Sequence, residues 1–180
     1  MSVITPENPL LDLRLDPDLA LDVARPGRID LAHAARRLAY RPADWRHAVR
    51  FDAVRRAYTR IPLRRESGYE AWLLTWLPGQ GTGLHDHAGS AGAFAVVEGS
   101  LTEDTAEQDL DGRTTLRRRV LTEGDVRPFG RDHVHEVNNL GTLPAVSIHV
   151  YAPSLSAMTR YRLENDRLST ISRDRAGIDW

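Results

Sequence analysis

His85 and His87 stand two residues apart in LHDHAGSAG, and His133 and His135 stand two apart in RDHVHEVNN. On an extended segment, residues two apart project to the same face. The first pair could therefore aim two imidazoles at one point, while His133 and His135 compete for a third position, and imidazole is the commonest protein ligand for transition metals. The first pair follows the loop Gly79-Gln80-Gly81-Thr82-Gly83, and together they make half of a metal site. Ser147, His149 and Tyr151 alternate in SIHVYAP and also share a face. Such a trio can form a hydrogen-bonded chain that ends at a phenol, although spacing alone also allows three unrelated polar residues on a half-exposed strand.

Composition narrows the chemistry. The chain has 180 residues, no cysteine and a formal net charge of −1. A disulfide framework, a thiolate zinc site and a cysteine nucleophile are excluded. All 24 basic residues are Arg, so no Schiff-base or phosphate-loop Lys is available. Nothing in the charge suggests nucleic acid or an anionic membrane as partner. The N-terminal stretch lacks a charged segment followed by an apolar one, and no apolar run approaches the ~20 residues of a membrane helix. One soluble cytoplasmic domain is the expectation.

The elements that must position these side chains fall into two styles. Residues 1–16 read as an extended arm. Residues 17–51 read as helical, with Asp30 as N-cap of a helix through LAHAARRLAY and Pro42 opening a second short helix, PADWRHAVRF. After about Val54 short strands alternate with turns. EAWLLTWLP is apolar on both faces and reads as a strand buried on both sides. Turns are expected at Glu98-Gly99-Ser100, at Asp111-Gly112 and across GDVRPFG, and Pro153 stops the strand AVSIHVYAP. Arg117, Arg118 and Arg119 read as a solvated strand. The pattern predicts a mainly β antiparallel sandwich or barrel behind a small N-terminal helical lobe.

Gly79, His85, His87 and Gly99 match glycine and histidine positions of the first cupin motif, which this segment resembles. The slot where many cupins carry a metal-binding Glu is Gly92. Pro128, Gly130, a His and Asn139 resemble the second motif. His135 keeps the spacing to Asn139 and is preferred over His133, which reads as a rim residue. Three neutral imidazoles leave a divalent ion's charge uncompensated, whereas the common non-haem iron triad includes a carboxylate. Such a site favours an anionic ligand from the substrate, and a thiolate fits. Zinc also fits three His.

Tyr58-Thr59-Arg60, GTGLHDHAGSAG, VHEVNN and SIHVYAP occur in the order found in the cysteine dioxygenase family, which the chain resembles, in its bacterial branch, over most of residues 55–153. The resemblance implies a cupin jelly-roll β-sandwich: a helical lobe at 1–53, a barrel core at 54–155 and a tail at 156–180. It implies Fe(II) held by His85, His87 and His135, a substrate carboxylate on Arg60, and Tyr58 in the same pocket. Tyr151 would face the reacting sulfur and oxygen, oriented by His149 and Ser147. The expected reaction takes L-cysteine and O2 to cysteine sulfinate in a monomer. Some family members carry a Cys cross-linked to the tyrosine; its slot is Gly92 here, so Tyr151 must be held by hydrogen bonds. The alternatives are a dioxygenase of 3-mercaptopropionate or another small thiol acid, a non-catalytic metal-binding cupin, and a zinc or nickel hydrolase or isomerase. Enzymes for 3-mercaptopropionate tend to have Gln where Arg60 stands, so Arg60 points to cysteine.

Overall fold

A computed structural model describes residues 28–63 and 68–176. The expected arm at 1–16, and the expected helical residues before Arg28, lie outside the described residues. Helix α1 (Arg28–Ala39) places Leu31, Ala34, Ala35 and Leu38 on one buried face, the i, i+3, i+4, i+7 stripe of an amphipathic helix. Asp30 lies inside this helix and not ahead of it, so it is not the N-cap that its residue type suggested. Pro42 does open helical structure, but as two single 3-10 turns, Pro42–Asp44 and Arg46–Ala48, in place of one short α-helix. Trp45 between them is buried and donates its indole N–H to the Leu38 carbonyl (2.9 Å), fastening the turns to α1.

Among the described residues ten strands follow: β1 (Ala57–Ile61), β2 (Glu70–Trp76), β3 (Ala91–Glu98), β4 (Ser100–Gln108), β5 (Thr114–Thr122), β6 (Val126–Phe129), β7 (His135–Asn138), β8 (Ala145–Ala152), β9 (Ala157–Glu164) and β10 (Arg167–Arg175). The mainly β expectation holds. One sheet has the order β1-β2-β8-β3-β6, entirely antiparallel. Its outer face carries Ala71, Leu73, Ala93, Ala95, Val146, Ile148 and Val150 against Leu31, Ala35 and Leu38 of α1. Its inner face carries Leu74, Trp76, Phe94, Val96 and Tyr151 into a second core with Leu101, Phe129 and Val137. The central strand β8 is therefore buried at every residue. Its apolar positions face the helix, while Ser147, His149 and Tyr151 face the interior, as strand alternation requires.

GDVRPFG is not simply a turn. Gly124 takes the positive-φ turn position, and Val126–Phe129 continue as β6. Pro128 is tolerated because β6 is an edge strand with one unpaired side.

The opposite wall is built from β5-β4-β7 and the hairpin β9-β10, with the extended segment around His85 joining them. His85 exchanges both backbone hydrogen bonds with His135 (2.9 and 3.0 Å) on one side. On the other, Tyr161 N–H donates to Leu84 O (2.9 Å) and Asp86 N–H to Thr159 O (3.0 Å). The residues expected as a C-terminal tail thus form a hairpin as far as Arg175 that completes this wall. Among the described residues no helix is long and apolar enough to cross a membrane.

Candidate metal centre and substrate cavity

His85 and His135 face each other as a hydrogen-bonded antiparallel pair, so their rings emerge side by side, 4.9 Å between centroids. His87, two residues on, adds a third ring 4.9 Å from His85 and 5.2 Å from His135. One nitrogen from each of the three lies within 4.8 Å of the others, and all three residues are buried. The HxH pair sits on an extended bridge segment and not on a regular strand, but alternation still aims both rings inward.

Two tautomers are fixed by partners. His85 Nδ1–H donates to the Gly83 carbonyl (2.9 Å), and His135 Nδ1–H donates to Glu103 Oε1 (2.8 Å). Each leaves Nε2 with a free lone pair. His87 is more telling, because neither of its buried ring nitrogens has a hydrogen-bond partner among the described residues. A buried unsatisfied polar atom costs roughly 1–3 kcal/mol, so a ligand at this point is physically called for. Burial pushes His85 and His87 well below the ordinary imidazole range, with neighbouring imidazoles adding to it. Burial also lowers His135, against the opposing pull of Glu103. Three neutral imidazoles with converging lone pairs fit a divalent transition-metal ion.

Behind His135 stands a carboxylate that sequence reasoning missed. Glu103, 0% exposed, accepts from His135 and from His133 Nε2 (3.1 Å) through Oε1, and from Arg127 Nε (2.6 Å) through Oε2. Burial would raise its pKa, but these donors outweigh it and hold the carboxyl far below its ordinary range. Glu103, His133 and His135 also form a second cluster of metal-ligating types, but its carboxylate is already bonded to three donors.

The Ser–His–Tyr chain is present, with a fourth member. Trp76 Nε1 donates to Ser147 Oγ (2.9 Å), Ser147 Oγ meets His149 Nε2 (2.8 Å), and His149 Nδ1 meets the Tyr151 hydroxyl (3.3 Å). Indole N–H can only donate, so Ser147 accepts there and its own hydrogen is free for His149 Nε2. A neutral imidazole accepting at Nε2 carries its hydrogen on Nδ1, which points at the Tyr151 oxygen. The phenol hydrogen is then left to donate elsewhere. Burial pushes His149 well below its ordinary range, with the His135 ring and the Arg56 charge adding, and burial pushes Tyr151 upward. Both residues are neutral near pH 7, as this directional chain needs.

A cavity of about 60 Å³ lies against these groups, lined by His85, His135, His149 and Tyr151 and by the apolar Leu74, Val137, Leu155 and Met158. One water-sized group occupies roughly 10–15 Å³ on this measure, so the cavity suits a molecule of amino-acid size. Tyr58 lines it, but Arg60 does not. The Arg60 side chain is 63% exposed and pairs with Glu70 (3.2 Å), whose other oxygen accepts from Leu155 N–H. The guanidiniums at the cavity are those of Arg56, just before β1, and Arg160 of β9. Arg56 lies over the Trp76 ring (4.9 Å), donates to Gly81 O (3.0 Å), and has a buried Nε with no hydrogen-bond partner among the described residues. Arg160 is held by Asp174 and donates to Thr82 O (2.9 Å). The Arg-Arg-Ala-Tyr-Thr-Arg run offered three arginines, and spacing could not tell which one a curved strand end would turn inward.

The family profile for cysteine dioxygenase type I matches residues 22–164. The chain belongs to that family. It is a family of dioxygenase enzymes, and the expected recognition and cupin fold stand. Relatives include cysteine dioxygenase type 1 of Danio rerio, 27% identical over 72% of this chain and 67% of that protein. The Bos taurus and Homo sapiens proteins of the same name are each 32% identical over 62% of this chain. The match spans 58% of the length of either mammalian relative. Among solved structures, the TT1209 protein from Thermus thermophilus superposes with a TM-score of 0.52 at 22% identity, over 62% of this chain and 95% of that one, a likeness of fold.

Proposed function

We propose that the chain is an iron(II)-dependent thiol dioxygenase whose substrate is free L-cysteine. The observation that carries this reading is the convergence of three neutral imidazoles, His87 without a hydrogen-bond partner among the described residues, beside a small cavity that His85 and His135 line together with Tyr151 and two arginines. His85, His87 and His135 would hold the ion. When bound, iron(II) would supply the redox chemistry by which dioxygen oxidises a thiolate. Both atoms of O2 end on sulfur, the thiol proton is released, and the product is cysteine sulfinate.

The protein's own residues do the rest. Arg56 and Arg160 would hold the substrate carboxylate, a task for which a rigid donor fork is suited. With the carboxylate held there, the thiol end would face His85 and His135 in the same cavity. The Leu74, Val137, Leu155 and Met158 side chains keep water from the sulfur. Tyr151, its oxygen already accepting from His149, donates its free hydrogen toward the reacting end and stays protonated throughout. Holding the partners in one geometry removes much of the entropic cost of their encounter.

A second reading, 3-mercaptopropionate, is favoured by one observation: Arg60, the residue that pointed to cysteine, pairs outward with Glu70. Anaerobic iron loading followed by O2 uptake on cysteine, 3-mercaptopropionate and cysteamine separates the readings. Fastest uptake with cysteine supports ours, fastest uptake with 3-mercaptopropionate replaces it, and no uptake with any thiol leaves a metal-binding cupin without catalysis.

A further inference from the structure

We propose that Glu103 is a positioning residue of the metal centre, fixing His135 with Nε2 toward the ion and strengthening it as a ligand. The inference rests on the metal reading above. Glu103 sits on β4 and His135 on β7, diagonal neighbours across the register that pairs Thr105 with His135 and Glu103 with Val137. Alternation along β4 puts Glu103 on the same inward face as Leu101, in the barrel core. A carboxylate there must be bound on both oxygens to be tolerated, and it is.

The division of labour between the two oxygens is informative. Oε2 takes Arg127, which offsets the charge, while Oε1 takes both His133 and His135. His133 stands on the outer side of this carboxylate, 4.6 Å from the His135 ring, and its own ring stacks on Phe129 (5.1 Å). Glu103 is thus gripped from two directions and cannot rotate away from His135 Nδ1. A metal-bound imidazole whose other nitrogen donates to a carboxylate is a stronger and better-oriented ligand. The usual carboxylate of a two-His iron site is missing from this ligand set. Glu103 would place a carboxylate one imidazole away from the ion, outside the ligand set.

A purely structural role would be the Glu103–Arg127 ion pair, and the two roles are separable. The probe is Co(II) alone, with affinity measured by chelator competition and coordination by its visible ligand-field bands. Glu103→Gln should weaken Co(II) binding by ~10- to 100-fold and change the bands. Arg127→Gln breaks the same ion pair but spares the contact to His135, so it should lower thermal stability and keep Co(II) affinity within about threefold of wild type. Glu103→Asp keeps the charge and withdraws it by one methylene; it should lose affinity as well, and serves if Glu103→Gln does not fold. Equal Co(II) affinity in wild type and the Glu103 variants would overturn the proposal. So would an equal loss in Arg127→Gln, which would make the pair structural. Loss of Co(II) in His133→Ala with retention in His85→Ala would put the ion on Glu103, His133 and His135 and also overturn it. A wild type that takes no Co(II) sinks the metal reading and this inference with it.

Discussion

Gly92 lies directly across from Tyr151 in the β3–β8 register, and the Phe129 ring occupies the space where its side chain would stand. A Cβ at Gly92 would also come within 2.8 Å of the Val150 carbonyl. In this chain the slot of the family's cross-linking cysteine is therefore not an empty place beside the tyrosine. It is filled by an aromatic that stacks on His87, with centroids 4.9 Å apart.

Restoring a cysteine should accordingly fail as a simple change. Gly92→Cys overpacks this corner and should cost ~1–3 kcal/mol of stability by thermal or denaturant unfolding. No thioether to Tyr151 should appear by mass spectrometry. Gly92→Cys combined with Phe129→Ala opens the space and should recover part of the loss. If the single variant is as stable as wild type, the ring is mobile and the packing argument is wrong.

Metal retention is the second expectation. As-isolated protein should carry close to one iron per chain. His85→Ala, His87→Ala and His135→Ala should each lose it, while His133→Ala keeps it because its Nε2 is bonded to Glu103 and it is not one of the three clustered imidazoles. Chelation of the wild type should lower its melting temperature, since an ion at 100 times its Kd stabilises by ~2.7 kcal/mol. A melting temperature indifferent to chelator and to added iron would argue that the three rings hold no ion.

Much of this site is legible in the sequence because β alternation is a strict period of two. SIHVYAP could only send Ser147, His149 and Tyr151 to one face, and β8 does so. The turns at Gly99 and Asp111-Gly112 were equally local and appear between β3, β4 and β5. What escaped depends on partners distant in the chain. Glu103 sits 32 residues from His135, and Trp76 sits 71 from Ser147, so no spacing rule joins them. Glu103 also hides inside the polar run SLTEDTAEQ, which carries no mark of burial. The hairpin β9-β10 escaped because its residues are mostly half-buried or exposed, and only its pairing to the His85 segment shows why it is there.

The hydrogen-bond direction from Trp76 to Tyr151 gives a third expectation. Tyr151→Phe should leave iron content unchanged and lower turnover by ~10- to 1000-fold, the order expected for one positioned donor. Trp76→Phe removes the group that forces Ser147 to donate onward. It should lower kcat by a smaller factor, on the order of tenfold, with little change in KM. A Trp76→Phe enzyme with normal kcat would mean that Ser147 and His149 keep their orientation without the indole.

The last expectation concerns which arginine meets the carboxylate. Arg56 has a buried, unpartnered Nε at the cavity, and Arg160 lines the same cavity from β9. Arg60 is exposed and paired with Glu70. Losing a charge-assisted clamp in a partly desolvated pocket should cost ~2–5 kcal/mol, or ~30- to 5000-fold in kcat/KM for cysteine. That loss is expected for Arg56→Ala, and for Arg160→Ala in the same direction. Arg60→Ala removes the exposed partner of the buried Glu70, away from the cavity, and should leave kcat/KM for cysteine close to that of wild type. Cysteamine, which has no carboxylate, provides the control. It should be a poor substrate of the wild type and should suffer far less from Arg56→Ala, since damage to the metal centre would depress both substrates alike. If Arg60→Ala instead carries the large, carboxylate-dependent loss, the Glu70 pair must open when substrate binds. Arg60 would then be the clamp, swung inward from the position it holds in the free protein.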